Sequence, residues 1–286
     1  MADDTIVQSG EFRSTAAPRS TVISGRTFDN KEVRYAAVDG LAMFEGDIVL
    51  GTVEEAQSAF LADLLRKAAA IDLDKLAASP DVKKAVIALQ DAFQQRKIEG
   101  IAIRGEQARW PGNLVPFEID AALPNAQRVT QAVEHWEAHT KFRFKAHKNE
   151  PDYVMFRPGS GCSSSVGRRG GKQVVTLGSD CTAGNAIHEI GHTIGLWHEQ
   201  SRSDRDKFIK IDAANIMAGL EHNFDQHISD GTDLGQYDYG SIMHYPAFAF
   251  AADASKPTII VPAGVRIGQR EALSPDDIAA ATAIAQ

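Results

Sequence analysis

Three histidines and a glutamate lie at spacings that suit a catalytic metal site, in the stretch His188-Glu189-Ile-Gly-His192-Thr-Ile-Gly195-Leu-Trp-His198. On an α-helix, residues four positions apart lie on one face, so His188 and His192 can bind the same ion. Glu189 lies one position further round and can reach a water molecule beside the metal. Gly195 can end the helix in a left-handed conformation, and the chain can then bring His198 back as a third ligand. Three imidazole ligands that leave one position open are typical of a catalytic zinc site, so we expect one Zn²⁺ per chain.

The alternative for such a stretch is a solvated helix whose histidines and glutamate face water by chance. A second motif downstream, Ser241-Ile242-Met243-His244-Tyr245, argues against it. The pattern H-E-x-x-H-x-x-G-x-x-H followed by a Met-turn is the signature of the metzincin zinc peptidases. The thioether of Met243 would form an apolar floor beneath the three imidazoles, since methionine fills irregular gaps. Without the upstream motif, this segment would predict only a strand end with a methionine in the core.

Within the metzincins, residues 101–286 resemble the astacin family. The resemblance rests on Glu199 directly after the third histidine, on YDYGSIMHYP at 237–246, and on RWPGNLVPFEI at 109–119. It implies an α+β fold with a metzincin-type catalytic domain, in which a twisted mixed sheet and long helices surround a zinc cleft between subdomains 101–198 and 199–286. It also implies a zinc-dependent endopeptidase that hydrolyses internal peptide bonds of polypeptide substrates.

The expected reaction assigns a role to two further side chains. Glu189 would take a proton from the attacking water and deliver it to the leaving amine. Tyr245 resembles the family's tyrosine, which ligates zinc in the resting active form and then stabilises the tetrahedral oxygen. The alternative for Tyr245 is a buried aromatic residue whose hydroxyl finds a hydrogen-bond partner. A second hypothesis for the whole chain is a catalytically silent zinc domain that acts as a protein-binding module, but the intact Glu189 argues against it.

Residues 1–100 are predicted to be a partly helical inhibitory prosegment. Phe44-Glu-Gly-Asp47-Ile48 resembles the FxGD motif of astacin prosegments, in which the aspartate takes the water position on zinc and keeps the zymogen inactive. A carboxylate is a sound zinc ligand. Without the catalytic motif, FEGD would predict only a tight turn between two strands. A cysteine switch is excluded because no cysteine precedes Cys162, so an activating protease or autolysis would have to remove an Asp47 switch.

Glu199 has two interpretations. It is either a surface carboxylate beside Gln200 or, as the resemblance implies, the buried partner of the ammonium group at the mature N-terminus. Alignment on Trp110 places that new terminus near Ile101.

The chain has two cysteines, Cys162 and Cys181. A disulfide would stabilise the loop between them, whereas a cytosolic location would leave two reduced thiols. The surrounding segment resembles the one that carries one of the two astacin disulfides, which implies that the pair is oxidised and the protein secreted. Lys141 replaces one half of the family's second disulfide, and the C-terminus lacks the other half. The first 20 residues contain no apolar run typical of a signal peptide, so the sequence leaves the export route open.

Composition excludes several other classes of protein. The 286 residues are 43% hydrophobic and 24% charged, which excludes a disordered or collagen-like chain. The net charge of −8 argues against a general nucleic-acid binder, whose surface would be basic. No uninterrupted apolar run approaches 18 residues, so we expect no membrane-spanning helix.

Local patterns predict the elements that position the site. Residues 1–30 are polar and predict a loose or extended arm, followed by strands, a turn at Asp39-Gly40, and helices that begin near 52 and 79. Helices are also expected over 126–139 and after Ser274, and strands over 142–144, 153–156 and 173–177. The resemblance to the astacin family implies that the edge strand next to 173–177 binds extended substrate. The boundary between the two units is expected within 100–109. The five remaining histidines lack ligand spacing and are expected to have surface or structural roles; they are His135, His139, His147, His222 and His227.

Overall fold

The structure, a computed structural model, describes residues 5–8, 11–15, 18–23, 31–60, 102–103, 108–227 and 231–286. The helix predicted to begin near residue 79, the terminus near Ile101 and most of the boundary predicted within 100–109 lie outside these ranges. The location of that boundary therefore stays a prediction.

The N-terminal part is a set of antiparallel strands. β1 (Thr5–Gln8) pairs with β2 (Phe12–Thr15), and a second sheet has the strand order β3-β4-β5-β6. Its strands are β3 (Arg19–Ile23), β4 (Lys31–Val38), β5 (Leu41–Phe44) and β6 (Ile48–Thr52). The turn predicted at Asp39-Gly40 is confirmed, and both residues have the positive φ that tight hairpin turns require.

Helix α1 follows β6 and is described over residues 53–60. The helix predicted to begin near residue 52 starts with a capping box. The backbone N–H of Thr52 donates to the Glu55 carboxylate, and the backbone N–H of Glu55 donates to the Thr52 hydroxyl. The N-terminal arm, predicted to be loose or extended, is extended where it is described: Phe12–Thr15 form a strand, and Phe12 is fully buried.

The central sheet has the strand order β11-β12-β10-β8-β9. β8 runs parallel to β9 and to β10, β10 runs parallel to β12, and β11 is antiparallel to β12 at the edge. A short strand, β7 (Ala102–Ile103), precedes this sheet. The five strands are β8 (Leu114–Ile119), β9 (Arg143–Ala146), β10 (Tyr153–Pro158), β11 (Cys162–Ser163) and β12 (Lys172–Leu177).

Two helices pack on this sheet and complete the first core. They are α2 (Gln127–His139) and α3 (Ala183–Ile194), and the strands and helices predicted in this region are confirmed within a few residues. The indole N–H of Trp136 on α2 donates to the carbonyl oxygen of Ile187 on α3 at 2.9 Å. Because both residues are buried, this bond fixes the position of α3, which carries the zinc-binding motif.

After residue 198 the chain is mostly irregular. Short 3₁₀ turns and two-residue strand pairs, β13 (Lys210–Ile211) with β15 (Ile259–Ile260) and β14 (Gly231–Thr232) with β7, precede the last helix, α4 (Pro275–Ile284). Ser274 caps α4. A second core forms here around Tyr245 and Phe250, whereas α3 belongs to the first core. The predicted α+β architecture is thus confirmed, with the motif residues between two packed units.

No helix within the described ranges is long and apolar enough to cross a bilayer.

Candidate metal centre

Helix α3 begins and ends at signals encoded in its sequence. The Thr182 hydroxyl accepts a hydrogen bond from the backbone N–H of Asn185, and the Asn185 side chain accepts one from the backbone N–H of Thr182. This reciprocal cap satisfies two donors that the first turn of a helix leaves free. At the other end Gly195 has a left-handed φ of 118°, which ends the helix where the sequence predicts. The chain can therefore turn back and bring His198 opposite His188.

The structure brings the three motif histidines together with Asp47. One ligand atom from each of the four residues lies within 4.8 Å of all the others, and the four side chains are fully buried. Asp47 Oδ2 lies 3.2 Å from Nε2 of His188 and 3.1 Å from Nε2 of His198. Asp47 Oδ1 lies 3.8 Å from Nε2 of His192. The predicted zinc ligands and the predicted switch aspartate thus face one point.

The outer ring nitrogen of each motif histidine is held by an acceptor. Nδ1 of His188 donates to the carbonyl oxygen of Ile242 at 2.8 Å, and Nδ1 of His192 donates to that of Leu196 at 2.8 Å. Nδ1 of His198 donates to the Glu45 carboxylate at 2.7 Å. A neutral imidazole that donates from Nδ1 presents a lone pair at Nε2. The three Nε2 atoms converge on the Asp47 side of the rings, and with neutral rings their lone pairs would form the arrangement that a metal ion needs.

The buried polar atoms of this cluster fit a bound cation. His192 Nε2 and Asp47 Oδ1 have no hydrogen-bond partner among the described residues, although buried polar atoms are normally paired. Burial lowers the pKa of both His188 and His192, which favours the neutral rings that bind metals. Three imidazole nitrogens and one carboxylate oxygen form a donor set typical of Zn²⁺. The residues present therefore fit zinc.

The pKa of His198 also indicates that this cluster favours a positive charge. Burial by itself lowers the pKa of His198, but the adjacent carboxylates of Asp47 and Glu45 outweigh burial and raise that pKa to about 9. The pocket thus attracts a positive charge to this ring.

Glu189 lies on the same helix as two of the histidines and is fully buried. Both carboxylate oxygens have no hydrogen-bond partner among the described residues. Burial, and then the negative charge of Asp47, raises the pKa of Glu189 well above its ordinary value. A carboxylate with a raised pKa is a stronger base, so Glu189 is suited to accept a proton and to return it.

Met243 packs against the motif helix at Gly191. A Cβ atom built on Gly191 would lie only 2.5 Å from Met243 Sδ, so the thioether occupies the space that a side chain on α3 would need. The backbone N–H of Met243 donates to the Ser241 hydroxyl at 3.0 Å, and that hydroxyl donates to Asp277 at 2.6 Å. Asp277 belongs to α4, so the last helix fixes the turn under the metal ligands.

Tyr245 is fully buried beside the third histidine, with its ring centroid 4.6 Å from that of His198. Its hydroxyl donates to the backbone carbonyl of Glu45, and the phenol is not one of the four clustered residues. Gln200 accepts a hydrogen bond from the backbone N–H of Tyr245 at 2.9 Å. The phenol therefore lies next to the metal centre but is held by the N-terminal segment.

The segment that carries Asp47 continues the edge of the central sheet. The backbone N–H of Ser164 donates to the carbonyl of Asp47, and the backbone N–H of Val49 donates to the carbonyl of Ser164, each at 2.9 Å. Ile48 and Ser164 form a parallel bridge. Ser164 follows edge strand β11, so residues 47–49 occupy the edge at which extended substrate is expected to bind.

Three contacts at the site were not predicted from the sequence. Glu45 holds His198, and Phe12 packs against Tyr245 with ring centroids 4.6 Å apart. The Glu11 carboxylate lies 2.6 Å from Nε of Arg270 in a largely buried ion pair. Glu45 lies within the FEGD motif and could have been considered as a ligand neighbour. Glu11 and Phe12 carry no such signal, because they lie in a polar segment without periodicity.

Glu199 is buried, which excludes the surface interpretation. One carboxylate oxygen accepts a hydrogen bond from the backbone N–H of Asp238 at 2.9 Å and lies 3.6 Å from the Arg202 guanidinium. Burial raises the pKa of Glu199 to about 8, against the opposing effect of Arg202. Its pairing with a new N-terminus stays a prediction, since Ile101 lies outside the described residues.

The two cysteines and the other histidines are part of the surrounding structure. Cys162 and Cys181 form a disulfide that joins edge strand β11 to the segment before α3. His222 and His227 are buried and bond to the N-terminal segment, through Ser14 and Glu45 respectively. None of the five remaining histidines belongs to the metal-ligand cluster found among the described residues; they are His135, His139, His147, His222 and His227.

Comparisons with known proteins agree with this geometry. The sequence profile of the Astacin peptidase family matches residues 102–284. The chain is 38% identical over 211 residues to Tolloid-like protein 1 of Mus musculus, which covers 69% of this chain and 21% of that protein. It is 41% identical over 160 residues to Astacin-like metalloprotease toxin 1 of Loxosceles intermedia, which covers 54% of this chain and 61% of that protein. The chain thus matches less than two thirds of the length of these curated relatives.

A solved structure has the same fold. The high choriolytic enzyme 1 of Oryzias latipes, described as a hatching enzyme zinc-protease, superposes with a TM-score of 0.56 at 30% identity. The match covers 60% of this chain and 90% of that one. Because the family profile covers well over half of the chain, from the first strand before the sheet to the last helix, the chain belongs to the astacin family of peptidases.

Proposed function

We propose that this chain is a zinc-dependent endopeptidase that hydrolyses internal peptide bonds of polypeptides and is made as a latent zymogen. One observation carries the proposal: the Nε2 atoms of the three motif histidines converge on one point, and Glu189, buried on the same helix as two of them, has no hydrogen-bond partner among the described residues. The names of the relatives, a metalloprotease toxin and a zinc-protease, support the same chemistry.

The side chains divide the reaction between them. Zinc held by the three motif histidines would supply Lewis acidity, which polarises the scissile carbonyl and makes a water molecule more acidic. Glu189 accepts the proton of the attacking water and then donates it to the leaving nitrogen as the C–N bond breaks. Tyr245, once released from Glu45, donates a hydrogen bond to the oxygen on which negative charge develops.

Latency follows from what residues 44–49 contact. Asp47 takes the position that faces all three imidazoles, and its chain neighbours pair with Ser164 at the sheet edge. An extended substrate would need both places. Residues 1–100 therefore act as an intramolecular inhibitor, which an activating protease or autolysis removes. A cut near Ile101 would create a new ammonium group, for which buried Glu199 is the acidic partner.

The Cys162–Cys181 disulfide supports a secreted protein, because disulfides persist in oxidising compartments.

Replacement of Glu189 by Gln tests the catalytic assignment. The amide keeps the shape of the side chain but cannot accept the water proton, so peptide hydrolysis by the activated protein should fall by about 10²–10⁴-fold. Metal analysis should still find about one zinc per chain. The matched control is Glu134→Gln, which changes an exposed carboxylate on α2 of the catalytic part and should keep full activity. Equal casein digestion by Glu189→Gln and wild type would remove the general-base assignment of Glu189, and no digestion by the activated wild type would leave the silent zinc-binding module.

Replacement of Asp47 by Ala tests latency separately. Without the carboxylate that faces the imidazoles, the uncut chain should hydrolyse a quenched fluorescent peptide, and electrophoresis should show that it is still uncut. Wild-type chain and the Glu54→Ala control, which changes an exposed carboxylate on α1, should remain inactive. If Asp47→Ala is as latent as these two, Asp47 is not the inhibitory ligand.

A further inference from the structure

Glu45, in the N-terminal segment, contacts His198 at Nδ1, the ring nitrogen that faces away from the proposed zinc position. It is fully buried, and both of its carboxylate oxygens are used. Oε2 accepts a hydrogen bond from Nδ1 of His198 at 2.7 Å. Oε1 accepts one from the Ser201 hydroxyl at 2.7 Å and lies 2.9 Å from Nε2 of His227.

This contact distinguishes the third ligand from the other two. The Nδ1 atoms of His188 and His192 donate to backbone carbonyls within the catalytic domain. Within the described part of the chain, His198 Nδ1 instead donates to the N-terminal segment, through Glu45. The support of one metal ligand thus belongs to a part of the chain that activation would remove.

The protein holds Glu45 in an unfavourable backbone conformation. Its φ of 47° lies in the left-handed region, which costs a residue with a side chain of this size free energy and persists only where surrounding contacts enforce it. Phe44 supplies part of that enforcement, with its ring 6.0 Å from that of Trp197 and 5.5 Å from that of His227. His227 in turn stacks on Trp197 at 4.0 Å. The carboxylate is therefore fixed at the His198 ring by packing on both sides.

We propose that Glu45 is a positioning residue of the zinc site, so that the prosegment strengthens metal binding while it blocks the site. A carboxylate that accepts the second ring proton orients a ligating imidazole and makes it a stronger donor. Loss of such an outer partner typically weakens metal affinity by about 10–100-fold. The uncut chain therefore retains zinc more tightly than Asp47 and the three histidines alone would provide. This inference rests on the proposed function only in requiring that the four-residue cluster binds zinc.

The test is zinc affinity of the full, uncut chain, measured by competition with a chromogenic chelator. Glu45→Ala should raise the zinc dissociation constant by about 10–100-fold. Glu45→Gln should give a smaller rise, because its amide oxygen can still accept the His198 proton. Glu54→Gln, an exposed carboxylate nearby in the chain, should equal wild type. Co²⁺-substituted chain adds a spectroscopic signature, because the visible absorption bands should shift in Glu45→Ala and return towards wild type in Glu45→Gln.

Melting of each metal-free variant separates a loss of folding from a loss of metal binding. If Glu45→Ala does not fold without metal, Glu45→Gln decides, and a dissociation constant equal to that of wild type overturns the proposal. Unchanged zinc affinity and unchanged cobalt spectra in folded Glu45→Ala overturn it as well, while catalysis lost in Glu189→Gln would leave the proposed function intact. A wild-type chain that binds no zinc would overturn both.

Discussion

Replacement of Phe12 by Ala tests whether a strand far from Asp47 in sequence helps to hold the site closed. The Phe12 ring is fully buried and lies 4.6 Å from the ring of Tyr245 and 6.0 Å from that of Phe250. It also contacts the turn before Asp47, since a Cβ on Gly46 would lie 3.1 Å from the Phe12 Cβ. Its aromatic contacts are thus mostly to the C-terminal part of the chain. Truncation of Phe12 therefore reports how firmly the N-terminal segment docks on that part.

The magnitude follows from burial. Truncation of a fully buried Phe to Ala costs about 3–5 kcal/mol. Tyr245 and Phe250 belong to the C-terminal part and Phe12 to the N-terminal segment. Most of this cost should therefore weaken the docking of the N-terminal segment on the C-terminal part. At about 1.4 kcal/mol for each factor of ten, the undocked fraction should rise by roughly 10²–10³-fold or more. Phe12→Leu keeps the apolar contact and should cost less than about 1.5 kcal/mol.

Two assays report this change. The basal rate at which uncut chain hydrolyses a quenched peptide should rise in Phe12→Ala, and its melting temperature should fall by several degrees. Phe248→Ala is the matched control, because Phe248 is 47% exposed and the same truncation there should change little. Phe12→Ala with the basal rate and melting temperature of Phe248→Ala would refute the argument that this strand contributes to closure.

Two further changes test the scaffold of the site. Cys162→Ser together with Cys181→Ser opens a cross-link of 19 residues, so the free energy of unfolding should fall by roughly 3 kcal/mol, and an equal loss on reduction of the wild type checks the cause. Gly191→Ala should gain up to about 1 kcal/mol of helix propensity but lose about 1–3 kcal/mol to the clash with Met243 Sδ. Chemical unfolding should therefore show a lower free energy of unfolding for Gly191→Ala, and Gly191→Ala should lower it less in a Met243→Ala background. A stabilised Gly191→Ala would contradict the predicted Met-turn floor.

The zinc motif could be predicted from the sequence because its geometry is local. His188 and His192 share a helix face by their spacing alone, and Gly195 marks the end of that helix. The strand and helix patterns of the central sheet are also local, since burial on one face imposes a period that the sequence records. Those elements were therefore predicted within a few residues.

The contacts of the N-terminal segment could not be predicted in the same way. Phe12 and Tyr245 are 233 positions apart, and no periodicity links them. Glu45 could be placed in a turn, but its partners, His198, Ser201 and His227, become neighbours only after two packed units meet. Such contacts depend on tertiary packing, which outweighs local preference, and the left-handed φ of Glu45 is an example.

Release of the prosegment after a cut depends on two contributions to its docking, the covalent attachment and the contacts that hold it. A covalently attached segment acts at an effective concentration of about 1 mM, whereas a cut segment competes at the real protein concentration, for which about 1 μM is typical in an assay. That drop of roughly 10³-fold corresponds to about 4 kcal/mol, which is similar to the cost of losing the Phe12 contact. A single cut near Ile101 therefore weakens docking about as much as Phe12→Ala does, and the cut wild-type segment should still occupy part of the sites. The cut removes the tether and Phe12→Ala removes the aromatic contact, so either change alone leaves one of the two contributions to docking in place. The cut Phe12→Ala protein should therefore release its segment at concentrations at which the cut wild type retains it. Gel filtration over a dilution series measures this difference.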